Sequence, residues 1–419
     1  MRTLEDRVHR LKANAELQRI AAAYSGYLSG AQYENILGLF SARADVWASM
    51  PWGTYRGQDG LKRLYPGLYS ALYRNDGGMK PGVLTVHGVN TPVITVAEDG
   101  KTAQALWTSP GVFTVEREGA PNGLQSYWSW QKAWGDFVRE GEAWKLLHLR
   151  IAPLFTTEFE KSWTEEQTDV FASIPPALQA DAPAMGELPP PEPHDEATVG
   201  GWAGNPWEDT EYARITRLEL IAGAQRLMGL YSNFMAAKQY GRIPALFALE
   251  TPTVRAEMLW GVYEREESIR KLYTDLFPHL TENVPGRIAS QVQSLEVPII
   301  TAAKDCQTAK GVWVSPGFMN IRNPDGTETG CWSWQKYAAD FIRTEQGLKI
   351  WHLHVYGLFE SEYGSEDIHP AGTFGMDIPP ALTPDRAPTT PFRLSADSVY
   401  PYEPAVPKPY SVYDPDYGY

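Results

Sequence analysis

The chain has 419 residues, enough for two ordinary domains, and its 43% hydrophobic and 21% charged residues suit a folded globular protein. A net charge of −14, spread along the chain, excludes the basic footprint that nucleic acid requires. No stretch approaches eighteen uncharged apolar residues, which excludes a membrane-spanning helix, and Cys306 and Cys331 alone make neither a disulfide framework nor a zinc site.

The N-terminal MRTLEDRVHRLKANAELQRI mixes both signs of charge at helical spacing and has no apolar signal core, so the expected location is cytoplasmic. Apolar positions at i, i+3 and i+4 predict a helix over 4–29 and another over 31–42 after Gly30. A third helical pattern follows Gly57 and is interrupted by Pro66. From residue 83 the pattern turns to strands: VLTVHGVNTPVITV, an EDGK turn, TAQALWTSPGVFTVE, SYWSWQKAWGDFVRE and WKLLHLRIAPLF. Helices followed by hairpin-linked strands predict an α+β domain, one curved antiparallel sheet around a helical layer.

That series is then written a second time. AAYSGYLSGAQYENILGLF (22–40) returns as GLYSNFMAAKQYGRIPALF (229–247), and WGTY (52–55) as WGVY (260–263). TPVITVAEDGKTAQALWTSPG (91–111) returns as VPIITAAKDCQTAKGVWVSPG (297–317). WSWQK stands at 128–132 and 332–336, and IPPAL at 174–178 and 378–382. The period is too long for a solenoid. It predicts two tandem domains, 1–179 and 211–363, joined by a Pro/Gly-rich linker over 180–210 and followed by an extended Pro/Tyr-rich tail over 364–419. Two such domains in one chain are expected to face each other as an intramolecular pseudo-dimer, with further homo-oligomerisation open.

The helix order, the run into a final strand carrying histidine, and the segment Gly53-Thr54-Tyr55-Arg56-Gly57-Gln58-Asp59-Gly60-Leu61 resemble the SnoaL-like branch of the nuclear-transport-factor-2-like superfamily. That group includes polyketide cyclases, scytalone and bile-acid dehydratases and lignin-dimer lyases. The resemblance implies two cone-shaped α+β barrels that work without cofactor or metal. It also implies catalytic roles for Tyr24, His87 and His148, matching the first-helix tyrosine, the strand histidine and the late-strand histidine of the dehydratases. Gln32 stands where the family often has an aspartate, so the usual Asp–His dyad is incomplete.

Around these, the candidates for substrate contact are Arg150, Gln32, Trp52, Trp107 and Trp128. The chain's 15 Trp, 22 Tyr and 14 Phe fit a ring-lined pocket for an aromatic or polycyclic molecule. The second copy keeps Tyr231 and His352, adds His354 at the Arg150 position, and has Gln293 in place of His87. It reads as an altered copy, and the WSWQK strings read as scaffold. The expected function is a cofactor-independent lyase, a dehydratase or C–C lyase, acting on a hydrophobic small molecule, with His87 (or His148) as general base and Tyr24 polarising an oxygen. An isomerase or cyclase on the same scaffold, and a non-catalytic binding protein, are the alternatives.

Overall fold

The computed structural model describes residues 3–76, 78–165, 170–171, 174–186, 210–365, 377–390 and 404–413. The chain divides into two units, Val8–Pro189 (the first) and Met1–Arg7 with Pro190–Tyr419 (the second). No helix among the described residues is long and apolar enough to cross a membrane.

In chain order the helices of the first half are α1 (Leu4–Ser29), α2 (Tyr33–Leu37), α3 (Gly57–Lys62) and α4 (Ser70–Tyr73). Its strands are β1 (Trp47–Met50), β2 (Gly53–Arg56), the short pair β3 (Arg74–Asn75) and β4 (Gly78–Met79), β5 (Leu84–His87), β6 (Asn90–Val96), β7 (Thr102–Glu116), β8 (Leu124–Glu140) and β9 (Ala143–Glu158). Between α3 and α4 the helix widens to π geometry over Arg63–Tyr69, around Pro66, which has no N–H to give the ladder. The sheet runs β2-β1-β9-β8-β7-β5, with β6 also on β7. Leu17, Ile20 and Tyr24 of α1 share one core cluster with Phe113, Ala133, Phe137 and Leu149 of the strands, so the helix lies in the hollow of the sheet.

The second unit repeats this order. Its helices are α5 (Glu211–Ala236), α6 (Arg265–Arg270) and α7 (Phe277–Leu280). Its strands are β10 (Arg255–Met258), β11 (Gly261–Glu264), β12 (Ile288–Gln293), β13 (Ile299–Ala302), β14 (Thr308–Ser315), β15 (Gly317–Arg322), β16 (Glu328–Thr344) and β17 (Gly347–Glu362). They are ordered β11-β10-β17-β16-β14-β13, with β15 joining β12 to β16. One feature corrects the sequence reading: neither sheet is wholly antiparallel, because β1 pairs parallel with β9 and β10 parallel with β17.

Each IPPAL string is a strap over the second strand of its unit. Pro176–Leu178 forms one 3-10 turn; Tyr55 Oη donates to Leu178 O (3.1 Å), and Thr54 N to Ala182 O (2.8 Å). Likewise Tyr263 Oη donates to Leu382 O (3.2 Å) and Val262 N to Arg386 O (3.0 Å). Residues 180–186, assigned to the linker from sequence, thus follow β2; the rest of that linker, 187–209, lies outside the described residues. Of the tail, 377–390 forms the second strap and 404–413 packs within the second unit, with Tyr410 buried; 366–376, 391–403 and 414–419 lie outside the described residues.

The straps explain the repeated WG. Gly261 has φ +154°, and a Cβ there would stand 2.3 Å from Pro384 Cγ; Gly53 meets Ala180 in the same way. Gly261→Ala is expected to lower stability by about 2–3 kcal/mol through overpacking and backbone strain, read as a shift in the denaturant midpoint at unchanged slope.

Candidate active site

His87 ends β5 and, with Thr85, points into the first barrel. Its strand partner is Gly111, where a Cβ would stand 2.5 Å from His87 Cδ2 and 2.4 Å from Val86 O. The ring therefore lies across the neighbouring strand. His87 Nε2 is 3.0 Å from Gln131 Nε2, and His87 Nδ1 is 3.4 Å from Thr85 Oγ1. Gln131 Nε2 also donates to Ser129 Oγ (3.0 Å). An amide nitrogen can only donate, so in this arrangement Nε2 accepts and the ring proton sits on Nδ1. Burial alone pushes His87 down to about 4, so the imidazole is neutral at pH 7.

Tyr24 approaches from α1. Its neighbour Ser25 donates through Oγ to His87 O, and Tyr65 donates to the Tyr24 oxygen at 3.3 Å, leaving the Tyr24 hydroxyl proton for another acceptor. Burial pushes Tyr24 up to about 12, so it acts as a hydrogen-bond donor. The Trp52 indole stacks on Phe171 at 3.9 Å and gives its N–H to Tyr55 Oη (3.3 Å).

His148 and Arg150 do not join them. In β9, Trp144 and Leu146 face the core, and simple alternation would bring His148 and Arg150 in as well. An extra residue, Leu147, bulges between the pairs Asp136↔His148 and Phe137↔Leu146. After it Leu149 and Ile151 face inward and the two polar residues turn out. His148 Nδ1 faces Asp136 Oδ2 (2.9 Å) and Nε2 faces Asp45 O (3.1 Å), so both nitrogens are engaged; Arg150 donates to Met185 O (3.2 Å). The expectation of a cavity role for this pair is corrected accordingly. Gln32 is exposed and accepts from Asn35 Nδ2 (3.2 Å) on its own helix, Trp107 is buried in the core cluster, and Trp128 stacks on Phe159 at 4.7 Å.

In the second unit Gln293 takes the His87 position, over Gly317, where a Cβ would stand 2.3 Å from its Oε1. Gln293 Nε2 donates to Ser333 Oγ (3.2 Å), its Oε1 accepts from Ser315 Oγ (3.1 Å), and Tyr337 donates to Gln335 Oε1 (2.8 Å). Tyr231 pairs with Tyr273 at 3.3 Å. Tyr231, Gln293, Gln335, Tyr337, Met319 and Trp260 help to line a cavity of about 730 Å³, solvent at its open mouth included. His352 and His354 are not in that lining, because β17 has the same bulge, at Trp351. His352 faces Asp340 Oδ2 (2.9 Å) and Thr253 O (3.0 Å); His354 faces Thr390 Oγ1 (2.8 Å) and Glu257 (3.3 Å). Among the described residues no group of three or more His, Cys, Asp or Glu is placed to hold a metal ion.

The residues missed from sequence are thus Ser129 and Gln131 in the first unit, and Gln335 and Tyr337 in the second. The signal was present in WSWQK itself: alternation puts the serine and the glutamine on one face and the two tryptophans on the other.

Residues 9–150 match the family model described as the SnoaL-like domain. No curated protein matches the sequence. Among solved structures, a hexachlorocyclohexane dehydrochlorinase (LinA) of type 2 aligns at 15% identity, covering 36% of this chain and 91% of that one, with a TM-score of 0.30. A type 3 enzyme of the same name from Novosphingobium barchaimii gives 14%, 40% and 99%, with a TM-score of 0.30. An NTF2-like protein with a cystatin-like fold from Novosphingobium aromaticivorans gives 21%, 36% and 88%, with a TM-score of 0.29. At these scores the likenesses carry no argument of their own. Over residues 9–150, about a third of the chain, the sequence is thus similar to the SnoaL-like domain.

Proposed function

We propose that the first unit is a cofactor-independent lyase for a hydrophobic, ring-bearing small molecule. His87 is the observation that carries this reading. It is a buried imidazole held by Gln131 and Thr85, with no acidic partner at hydrogen-bond distance among the described residues, in a stretch that matches a SnoaL-like domain. A neutral imidazole accepts a proton without first losing one. The imidazolium it becomes gains no carboxylate contact, so the transfer suits a C–H already acidified by a neighbouring carbonyl. His87 takes that proton, the C–H electron pair forms the new double bond, and the bond to the leaving oxygen breaks. Tyr24 supplies the leaving oxygen's proton and regains one from His87, so water or an alcohol departs and the enzyme is restored. If a C–C bond breaks instead, the same pair of groups serves retro-aldol cleavage.

The test is turnover of a panel of β-hydroxy-carbonyl and aryl-propanoid compounds without added cofactor. His87→Ala should lose roughly 10²–10⁴-fold in kcat/KM. Full activity in that variant sinks the assignment. For the wild type, the rate should be level through neutral pH and fall only as pH drops towards 4, where His87 becomes charged.

The same lowered value makes a stability prediction. Unfolded, a histidine binds its proton below about 6.5, whereas buried His87 does so only near 4. The unfolded chain therefore binds more protons between these limits, and stability falls as pH falls through that window, by roughly 3 kcal/mol in all. His87→Gln, which installs the residue found at 293, should remove that slope in denaturant titrations at pH 7 and pH 4.5.

The second unit supports a second reading, binding without turnover. At the position of the base it carries an amide, Gln293, whose side chain is bonded at both ends. The cavity beside it suits a neutral, largely apolar ligand, with Tyr and Gln side chains to orient one oxygen. Binding of 2-naphthol, followed by its fluorescence, should weaken roughly tenfold or more in Met319→Trp, which fills the cavity. Undiminished binding would remove this site as the receptor.

A further inference from the structure

On the outward face of the second sheet, Lys310, Asp340 and His352 are buried together, with Lys310 Nζ 3.0 Å from Asp340 Oδ1 and His352 Nδ1 2.9 Å from Oδ2. The chain's own tail docks there. Tyr413 donates its hydroxyl to Asp340 Oδ2 at 2.8 Å, and Trp351 covers both rings, 4.5 Å from His352 and 4.4 Å from Tyr413. Three residues earlier, Tyr410 Oη is 3.0 Å from Thr308 Oγ1. Between the two tyrosines the amides of Lys304 and Asp305, at a hairpin turn, donate to Tyr410 O and Ser411 O at 3.0 and 3.1 Å. A Tyr-x-x-Tyr segment is thus fixed by two phenols and two backbone bonds.

The first unit carries the same fittings. Asp136 Oδ1 accepts from Gln104 (3.0 Å) and Oδ2 faces His148 (2.9 Å), as Asp340 is held by Lys310 and His352. Thr102 stands at the position of Thr308. The hairpin turn has the same bonds: Gly100 N to Ala97 O and Lys101 N to Asp99 Oδ1, matching Cys306 N to Ala303 O and Gln307 N to Asp305 Oδ1. The amides of Glu98 and Asp99 therefore stand where those of Lys304 and Asp305 receive the tail. An indole again covers the imidazole, Trp47 at 4.5 Å from His148, although it comes from β1 and the position of Trp351 holds Leu147. The side chains of His148 and Asp136 are 21% and 25% exposed, against 10% and 4% for His352 and Asp340.

We propose that this edge of the first unit is a docking site for a Tyr-x-x-Tyr peptide segment, held by Asp136, Thr102 and the hairpin amides as residues 410–413 are held in the second unit. Gln104 replaces the lysine whose ammonium lies 4.6 Å from the Tyr413 ring centre, so the first site binds the more weakly. That suits exchange with a separate partner.

The probe is a synthetic peptide of residues 404–413, PAVPKPYSVY, with a photo-crosslinking residue at the Val412 position, incubated with the full chain and mapped by mass spectrometry. Cross-links are expected within 97–104 and 134–148. Their yield should fall about tenfold when the peptide carries Tyr413→Phe or the protein Asp136→Asn, the worth of one hydrogen bond to a charged group. The peptide substitution leaves the protein untouched, so its result does not depend on a variant's folding. Cross-links confined to 303–310 and 340–352, no cross-links at all, or indifference to Tyr413→Phe would each overturn the proposal. Competition by p-cresol as effective as by unlabelled peptide would do so too, by assigning the site to small phenols.

Discussion

Gly111 and Gly317 sit where a facing side chain lies flat over the neighbouring strand, and much of each barrel's interior follows from that contact. Any Cβ at those positions would strike residue 87 or 293, so glycine ends the serine-proline-glycine string in both copies whichever side chain it receives. Once laid across the strand, the imidazole or amide is out of water, and an unpaired polar group there costs about 1–3 kcal/mol. Ser129 and Gln131 meet that need in one unit, Ser333 and Ser315 in the other. The scaffold thus accepts either a histidine or a glutamine with little rearrangement. One substitution then exchanges a titratable imidazole for a neutral amide on the same backbone.

The repeated strings were legible because identity between distant segments needs no knowledge of contacts. The direction of His148, Arg150, His352 and His354 was not. Period-two counting from Leu146 or Ile350 puts all four inside, and one extra residue in each strand, Leu147 or Trp351, reverses it. A bulge leaves no distinctive residue behind: one of these is a leucine and the other a tryptophan. What could have exposed the error is Asp136 and Asp340. A carboxylate kept opposite the histidine in both copies, while the His87 position changes, belongs to a part both copies need.

That part is the parallel edge. His148 joins Asp136 on β8 to the carbonyl of Asp45 just before β1, and His352 joins Asp340 to Thr253 in the same way. With both nitrogens engaged, each imidazole pins a four-residue strand that has few ladder bonds of its own. WSWQK divides along the same line. Its tryptophans face out, where Trp130 stacks on Phe155 and Trp334 on Phe359, while its serine and glutamine face in, and the residue over the glycine is bonded by Gln131 in the first unit and by Ser333 in the second. A string that reads as scaffold is scaffold on one face and site on the other.

Burial sets the kind of chemistry left to the interior. Tyr24 and His87 are both held neutral by desolvation, with no ion pair between them, so any charge that develops in a bound molecule meets oriented hydrogen bonds and not fixed charges. The strongly paired charges of the second sheet lie on its other face, where Lys310, Asp340 and His352 share one buried cluster with Tyr413. Keeping ions outward and neutral donors inward lets the tail be held electrostatically without raising the polarity of the cavity. An apolar ligand can enter such an interior without displacing an ion pair, and a proton can move within it only when the ligand itself supplies the acidity.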